Sequence, residues 1–488
     1  MEAKRVWELS RKMGLSVRDT YRMCRARHAC TRSQLQLTRA RLTPYTAETH
    51  RVTGQNMAQR SAATVDLVTL VREQVRLATT CEVITLHNPQ VWVIVCPDAT
   101  PLWKTSATKC DVFVHIWGGE GGGPGVRAAG HTARWSMWWA LDGPDDGGCL
   151  RAMDETCNLN DQLVALEEED IVIQGQRAKF WGFLTGDGKL MRCTNQGSGE
   201  GESCWSCDTP DSLVPSDEVL DNVRWGAFLR RVPVVRRVGD ACAHGQCRVC
   251  NMFIIRLREQ VIAWCPRGSG LAGKRRLREM WAELSHRAAS IPPSERLAPR
   301  RTPEGAVDIS TARLFWEADD LQKQVVDILK EEFGDMKADG VPAHALIHVV
   351  LSSFSAMYKL WRKKVPLTDM EVAQCKGCAA KLGRCWSRLG WRPSPWVHWV
   401  VAHSGFFVEK YRSLYLFSSI PSEKRNRRFK VGLKNSMRGW CLRHPRLAAR
   451  GLAHVVNMES LDVGLLHEWA KVVKEKCLHK SKPKRHCR

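Results

Sequence analysis

The chain has 488 residues, of which 44% are hydrophobic and 20 are tryptophan, which excludes a disordered polar chain and allows about two to four lobes with a large core. Its net charge of +23 favours a polyanionic partner, most often nucleic acid, over a protein whose charge serves only solubility. No secretory leader or bilayer-spanning run is expected, so the 20 cysteines are expected as thiols, some of them on metal, rather than as disulfides.

The first thirty residues predict two crossing helices joined by a turn. Gly14 can adopt the positive φ that such a turn requires, and Ser16 can cap the second helix. Arg18 and Arg22 lie on that second helix, which favours a DNA-binding helix-turn-helix; an ordinary helical hairpin is the alternative. Residues 57–79 show an amphipathic pattern that predicts a helix for core packing or dimerisation.

The hydrophobic period changes at residue 91, where a series of strands begins. Strands are predicted at 91–96, 109–117, 135–141 and 178–184, with a helix at 154–168 before the last of them. Three strands, a helix and a fourth strand form the order of an RNase H-like core. Asp98 ends the first apolar run and Asp187 closes the fourth, so two carboxylates are expected at strand ends.

Beyond residue 200 the pattern is mainly helical as far as about residue 405. Strong helices are predicted at 317–334 and 342–364, and a Pro/Arg-rich linker at 290–303. A basic group precedes the linker and suits a surface that faces phosphates; it includes Lys274, Arg275 and Arg276. The basic tail at 480–488 is typical of nuclear import or DNA contact, with a solvated terminus as the alternative.

Asp98, Asp187 and Glu423 are candidate ligands for two divalent metal ions. Phosphodiester chemistry uses such a pair, since one metal activates the attacking water or hydroxyl and the other steadies the leaving oxygen. Hard carboxylate oxygens favour Mg²⁺ or Mn²⁺. Taken singly, each acid is more often a surface charge or a cap, and only placement at strand ends favours catalysis.

A Cys-x-x-Cys pair and a His-x4-His pair have the ligand types and spacings of a tetrahedral zinc site. The four residues are Cys204, Cys207, His398 and His403. Because almost 200 residues separate the pairs, such a site would join two distant segments and contribute to folding. Further groups are more often structural thiols than metal ligands: Cys242, His244, Cys247 and Cys250, and then Cys375, Cys378 and Cys385.

Five short segments, in this order, resemble the catalytic core of the V(D)J recombinase and Transib-type transposase family. They are Val-Cys-Pro-Asp98-Ala-Thr, Phe-Leu-Thr-Gly-Asp187-Gly-Lys-Leu, Cys204-Trp-Ser-Cys207-Asp208, His398-Trp-Val-Val-Ala402-His403 and Ser422-Glu423-Lys-Arg-Asn426-Arg-Arg-Phe429-Lys. The resemblance covers roughly residues 90–440 and rests on order and spacing. The hAT-type transposases share the plan, including a helical insertion before the last Glu.

The resemblance implies an α/β fold of the multidomain α+β type. In it, an RNase H-like catalytic core is interrupted by a large, mainly α-helical zinc-binding insertion and preceded by a helical DNA-binding region. The implied organisation is a helix-turn-helix-like region at 1–40, a helical dimerisation or linker region at 41–90, the first part of the core at 91–200, the insertion at 201–405, the last part of the core at 406–470 and a basic tail at 471–488.

The implied activity is that of a DDE-type DNA transposase or recombinase. Such an enzyme nicks DNA at element ends, forms a hairpin with the freed 3′ hydroxyl and transfers ends into target DNA. It would use two Mg²⁺ or Mn²⁺ ions at the three acids and one Zn²⁺ at the Cys and His pairs. The partners would be DNA and a second copy of the chain in the nucleus, with an accessory subunit left open and no membrane.

Additional DNA contacts are expected beside the last acid, at Asn426, Arg427 and Arg428. Two alternatives remain. One is a catalytically silent, transposase-derived protein that binds zinc and DNA. The other is an RNase H-like nuclease outside transposition.

Overall fold

The chain forms two compact units in the computed structural model. The first comprises Met1–Phe183, Phe228–Arg231 and Arg425–Arg488, and the second comprises Leu184–Ala227 and Val232–Lys424. The structure describes residues 2–12, 20–21, 31–44, 46–53, 59–81, 89–102, 105–117, 133–141, 152–153, 155–168, 171–173, 175–188, 190–191, 204–207, 212–215, 236–265, 271–290, 309–420, 453, 457–458, 460–462 and 465.

Two helices at the start of the first unit, α1 (Glu2–Lys12) and α2 (Arg32–Leu42), share a small core. The Trp7 indole Nε1–H donates to the Leu35 carbonyl at 3.0 Å, which fixes α1 across α2. The core contains residues from both ends of the sequence: Val6, Trp7, Leu35, Leu42, Met458, Leu461 and Leu465. The segment around residue 460 therefore completes the hydrophobic contacts of the N-terminal helices.

Helix α2 begins at a capping box, which the sequence contains as Thr31 followed by Gln34 but which the sequence analysis does not predict. The Thr31 side chain accepts from the Gln34 amide, and the Gln34 side chain accepts from the Thr31 amide. The predicted DNA-contact residues Arg18 and Arg22 lie outside the described residues. Between α1 and the N-cap residue of α2, the described residues are 20–21, and these are helical.

Seven strands form one mixed sheet. They are β1 (Glu48–Thr53), β2 (Gln59–Thr64), β3 (Gln90–Leu102), β4 (Thr105–Trp117), β5 (Ala133–Leu141), β8 (Lys179–Gly186) and β9 (Arg237–Gly239). The order is β1–β2–β5–β4–β3–β8–β9. Pairs β1–β2, β2–β5, β5–β4 and β4–β3 are antiparallel, whereas β8 and β9 are parallel. A separate ribbon consists of β6 (Val172–Ile173) and β7 (Gln176–Arg177).

The apolar run at the start of β3 explains why this strand lies inside the sheet. Residues 91–97 are all buried, because Val-Trp-Val-Ile-Val-Cys presents apolar side chains on both faces of the pleat. Helix α3 (Leu67–Cys81) packs on β4 and β5, and it contacts α4 (Leu159–Glu168). Strands β1 to β5 of the sheet thus belong to the first unit, whereas the end of β8 after Phe183 and all of β9 belong to the second.

The four strands predicted from 91 to 184 are confirmed, and each is somewhat longer than the apolar run that predicted it. The helix predicted at 57–79 is wrong in its first part. Residues 59–64 form β2, which pairs with both β1 and β5, and the helix starts only at Leu67. The Asp66 carboxylate accepts from the Thr69 amide at 2.7 Å and starts that helix. The described part of the region 41–90 therefore contains an antiparallel strand pair as well as a helix.

The second unit is mainly helical in its described part. Its helices are α5 (Gln246–Trp264), α6 (Leu271–Ser290), α7 (Ile309–Glu317), α8 (Asp319–Phe333), α9 (Ala343–Trp361), α10 (Asp369–Arg388), α11 (Pro395–Ala402) and α12 (Ser404–Tyr411). A short ribbon, β10 (Lys337–Ala338) with β11 (Val341–Pro342), joins α8 to α9. The helices predicted at 317–334 and 342–364 are confirmed. Of the predicted linker at 290–303, only Ser290 is described, and it ends α6.

Trp316 holds three of these helices together and has no exposed surface. Its indole N–H donates to the Gln246 carbonyl at 3.2 Å, and its own carbonyl accepts from the Ser355 hydroxyl at 2.7 Å. Its ring also packs on Phe354 at a centroid distance of 4.4 Å. The tryptophan therefore links α5, α7 and α9 with both apolar contact and hydrogen bonds.

Two glycines of α10 have opposite surroundings. A Cβ atom at Gly383 would lie 2.6 Å from the Leu213 carbonyl oxygen and 2.6 Å from Val401 Cγ1. A Cβ atom at Gly377 would meet nothing within 4 Å. Gly383 therefore permits the close approach of α10 to α11 and to the 212–215 segment, whereas Gly377 has no such role.

We expect Gly383→Ala to destabilise the second unit by about 1–3 kcal/mol, because the added methyl group overpacks this contact. Gly377→Ala is the matched control and should stabilise the same helix by up to about 1 kcal/mol through helix propensity. Urea unfolding followed by tryptophan fluorescence measures both. Midpoints that move in the same direction would contradict the packing described for Gly383.

Candidate functional site

Four ligand-type side chains meet inside the second unit: Cys204, Cys207, His398 and His403, all buried. One sulfur or ring-nitrogen atom from each lies within 4.8 Å of the others. His398 Nε2 is 3.1 Å from both Cys207 Sγ and His403 Nε2. A tetrahedral site with usual zinc bond lengths separates its ligand atoms by about 3.3–3.8 Å, so the cluster fits a metal ion with little movement. The chain thus contains a buried Cys2His2 cluster that can hold a metal.

Local hydrogen bonds position the ligand pairs. The Ser206 amide donates to Cys204 Sγ at 3.3 Å and holds the Cys-x-x-Cys turn. Helix α11 begins at Ser394, whose side chain accepts from an amide of the first turn. His398 lies on α11, and His403 stands at the junction between α11 and α12, where its backbone leaves helical geometry at φ −119°. The two histidines thus lie on either side of this junction's first helix end, with their Nε2 atoms 3.1 Å apart.

Hydrogen bonding and burial favour the ligand forms of His398, His403 and Cys207, whereas burial opposes that of Cys204. His398 Nδ1 lies 2.5 Å from the Ser212 carbonyl oxygen, so its N–H donates there and Nε2 faces the cluster. Burial lowers the pKa of His403, which favours the neutral imidazole. The hydrogen bond with Cys204 lowers the pKa of Cys207 far below its usual value, whereas burial raises the pKa of Cys204. A bound metal would hold both sulfurs as thiolates.

A pair of tryptophans joins the cluster to the ends of β8 and β9. Trp205 lies between the two cysteines, and its ring packs edge-to-face on Trp396 at 4.8 Å. A Cβ atom at Gly188 would lie 2.9 Å from Trp396 Nε1, and one at Gly239 would lie 3.1 Å from the Trp205 ring. Gly188 directly follows Asp187, and Gly239 ends β9. The strand ends therefore rest on indole rings that flank the metal ligands.

Asp187 stands at the end of β8, as predicted, and is half-buried. Its Oδ1 accepts from the Leu190 amide at 2.8 Å, and its carbonyl accepts from the Met191 amide at 3.0 Å. The residue thus caps the turn that follows the strand. Its other carboxylate oxygen has no hydrogen-bond donor among the described residues, so capping leaves it available for a cation.

Asp98 lies within β3, not after it, because the strand continues to Leu102. Its backbone partner across the hairpin is Lys109 on β4. The Lys109 ammonium is 2.5 Å from an Asp111 carboxylate oxygen, and both side chains are 1% exposed. A buried cation, already paired with an acid, therefore stands on the strand next to the one that carries Asp98.

The remaining predicted site residues divide into two groups. Glu423, Asn426, Arg427 and Arg428 lie outside the described residues. Lys274, Arg275 and Arg276 lie on α6. Arg275 pairs with Glu279 of the same helix at 3.2 Å, and Arg276 pairs with Glu331 and Glu332 of α8 at 2.7 and 3.2 Å. Two of these three cations thus already have carboxylate partners.

The other cysteine groups are not assembled. Among the described residues, the Cys2His2 cluster is the one group of three or more side chains that can hold a metal. The Cys242 thiol instead donates to the Trp361 carbonyl at 3.3 Å, and burial raises its pKa well above the usual value. Burial also raises the pKa of Cys375, to about 12, as expected of a structural thiol. The hypothesis of a second site at either group is therefore not supported.

Sequence reasoning missed Asp240, a carboxylate with 1% exposure directly after β9. Its amide donates to the Gly186 carbonyl at 3.1 Å, next to Asp187. The available signal was a repeated Gly-Asp pair, because Gly239 ends β9 directly before Asp240, as Gly186 ends β8 directly before Asp187. The signal is weak, since a three-residue strand has no detectable hydrophobic period.

No protein-family model and no curated protein matches this chain. Among the described helices, none combines the length and apolar character that crossing a bilayer requires. The candidate functions therefore rest on the residues and their geometry.

We expect the purified chain to bind one metal ion in the Cys2His2 cluster, and Cys207→Ser to abolish this binding. Loss of the metal should lower the unfolding temperature by roughly 10 °C or more, because metal binding to such a cluster contributes to folding. Mass spectrometry of metal content, with a thermal scan, measures both. Cys378→Ser, a thiol of α10 outside the cluster, is the control, and equal metal content in the two variants would contradict the assignment.

Proposed function

We propose that this chain is a metal-dependent DNA transposase or recombinase with an RNase H-like catalytic core and a structural zinc site in its helical insertion. The observation that carries the proposal is the Cys2His2 cluster, which joins residues almost 200 positions apart in the order that the resemblance requires. Zinc is the metal of choice, because two thiolates and two imidazoles neutralise and surround it in tetrahedral geometry.

The sheet supports the catalytic part of the proposal. Strand β3, which carries Asp98, and strand β8, which leads to Asp187, are neighbours in the sheet. Glu423 would be the third acid. Phe417 lies shortly before Glu423 in the sequence, and its carbonyl accepts from the Thr185 hydroxyl of β8 at 2.8 Å. Chain segments that lead to two of the acids are thus hydrogen-bonded to each other.

The three acids would hold two Mg²⁺ or Mn²⁺ ions, which activate a water or 3′ hydroxyl and steady the leaving oxygen when bound. Asp187 can share in this role, since its cap uses one carboxylate oxygen. The net charge of +23 would retain DNA phosphates near the acids. Joining two DNA ends would need a second copy of the chain, and the substrate would place the protein in the nucleus.

A catalytically silent DNA-binding protein is the second candidate. The cap that Asp187 forms on the turn after β8 favours it, because this contact explains the acid without any catalysis. Such a protein would retain the zinc cluster and the basic surface. It would bind DNA without nicking it.

We expect metal-dependent nicks and hairpins when the wild-type chain acts on DNA that carries the ends flanking its own gene. Asp187→Asn and Glu423→Gln should each lower the rate roughly a thousandfold or more, because each removes a carboxylate from the metal site. Asp335→Asn, which alters an exposed acid on the helical part, is the control and should cleave as the wild type does.

Gel analysis of end-labelled DNA in Mg²⁺ and in Mn²⁺ separates the candidates. Tight DNA binding with no cleavage by the wild type would contradict the transposase and favour the silent protein. Nicks without hairpins or strand transfer would instead favour a nuclease outside transposition.

A further inference from the structure

The buried carboxylate of Asp240 has three hydrogen-bond donors, all within the second unit. Oδ1 accepts from the Ala243 amide at 3.0 Å and starts the turn Ala241–Gly245. Oδ2 accepts from both the amide and the hydroxyl of Ser419, at 2.8 and 2.5 Å. Ser419 is 179 positions away in sequence, so the carboxylate ties the end of β9 to a distant segment.

The parallel pairing of β8 and β9 brings this carboxylate to the same sheet end as Asp187. Gly186 and Gly239 are register partners, and each is followed directly by its aspartate. The Asp240 amide donates to the Gly186 carbonyl, so the two strand ends are bonded beyond the last ladder pair. Asp187 and Asp240 therefore occupy equivalent positions on neighbouring strands.

The segment 417–419 is bonded to both of these strands. The Phe417 carbonyl accepts from Thr185 of β8, one of the last residues before Asp187. Ser419 donates twice to the carboxylate after β9. Ser418 and Ser419 are at most 2% exposed, so water does not compete for these bonds. Ser419 precedes Glu423 by four positions, and four extended residues span at most about 14 Å.

The bonding of Asp240 argues for a structural part in the site. Both of its oxygens accept hydrogen bonds, and the side chain is 1% exposed, so it is not arranged as an open metal ligand. A buried carboxylate that accepts from an amide and a hydroxyl of one residue fixes that residue in position and orientation.

We propose that Asp240 is a positioning residue that holds the 417–419 segment against the strand end of Asp187 and thereby sets the geometry of the metal site proposed at Asp187. The inference rests on the proposed function for its catalytic part. The anchoring itself is independent of that function and is tested first, without DNA.

Amide hydrogen exchange tests the anchor. In Asp240→Asn, the side-chain amide has a single oxygen, which can face either Ala243 or Ser419. Its N–H₂ group must then face the other residue, whose donors lose their acceptor. We expect exchange in peptides that cover 415–424 to rise about tenfold, and a smaller rise in Ser419→Ala, which loses only the hydroxyl bond. Ser413→Ala is the matched control, since its buried hydroxyl has no hydrogen-bond partner among the described residues.

Mn²⁺ titration and the cleavage assay test the positioning. We expect Asp240→Asn and Ser419→Ala to bind Mn²⁺ about tenfold more weakly than the wild type or Ser413→Ala. Their DNA cleavage should fall in proportion and recover at high Mn²⁺, which would not happen if a catalytic group had been lost. A general folding defect would lower cleavage without recovery and would also raise exchange in α9. Ser419→Ala is included because it removes only one hydrogen bond and is less prone to such a defect than Asp240→Asn.

Three results would overturn the proposal. Unchanged exchange at 415–424 in Asp240→Asn would remove the anchor. Faster exchange with unchanged Mn²⁺ affinity would leave the anchor without any influence on the metal site. Cleavage that fails to recover at high Mn²⁺ in Ser419→Ala would refute a positioning effect. A wild-type chain that binds Mn²⁺ but never cleaves DNA would refute the proposed function alone, and Mn²⁺ affinity would then decide the inference.

Discussion

The convergence of two cysteines and two histidines on one point is the constraint on which the second unit depends. Cys207 and His398 are 191 positions apart, yet their side-chain atoms are 3.1 Å apart. Burying two thiols and two imidazoles together without a cation costs free energy, because each carries polar atoms that lose hydration on burial. A metal ion bound by the four side chains would remove this cost. It would also hold in place Trp205 and Trp396, on which the glycines at the ends of β8 and β9 rest.

Three kinds of contact converge on those strand ends. Indole rings pack beneath Gly188 and Gly239, the Asp187 cap closes the turn after β8, and Asp240 draws in the 417–419 segment. Each is a contact between residues far apart in sequence or a bond to a backbone group. Together they restrain the strand ends, and the two-cation site that we propose there would need such restraint.

The sequence predicts this architecture where the pattern is local and fails where it is not. The run Val-Trp-Val-Ile-Val-Cys predicts β3, and the spacing of the cysteines and histidines predicts the cluster. Residues 59–64, with small and polar side chains, are a strand only because β1 and β5 pair with them. Cys242 has suitable neighbours in sequence, but its thiol donates to Trp361. Asp240 follows three strand residues, too few for a period, and its partner Ser419 is distant.

The core shared by α1, α2 and residues 458–465 has a consequence for biosynthesis. Val6 and Trp7 are synthesised long before their apolar partners Leu461 and Leu465. The ribosome must therefore synthesise the chain as far as these residues before the first unit can close, and closing so long a loop costs entropy. The second unit does not have this delay, because it comprises no residue after Lys424. Synthesis from the N-terminus thus favours a folding order in which the helical unit is complete before the N-terminal helices find their partners.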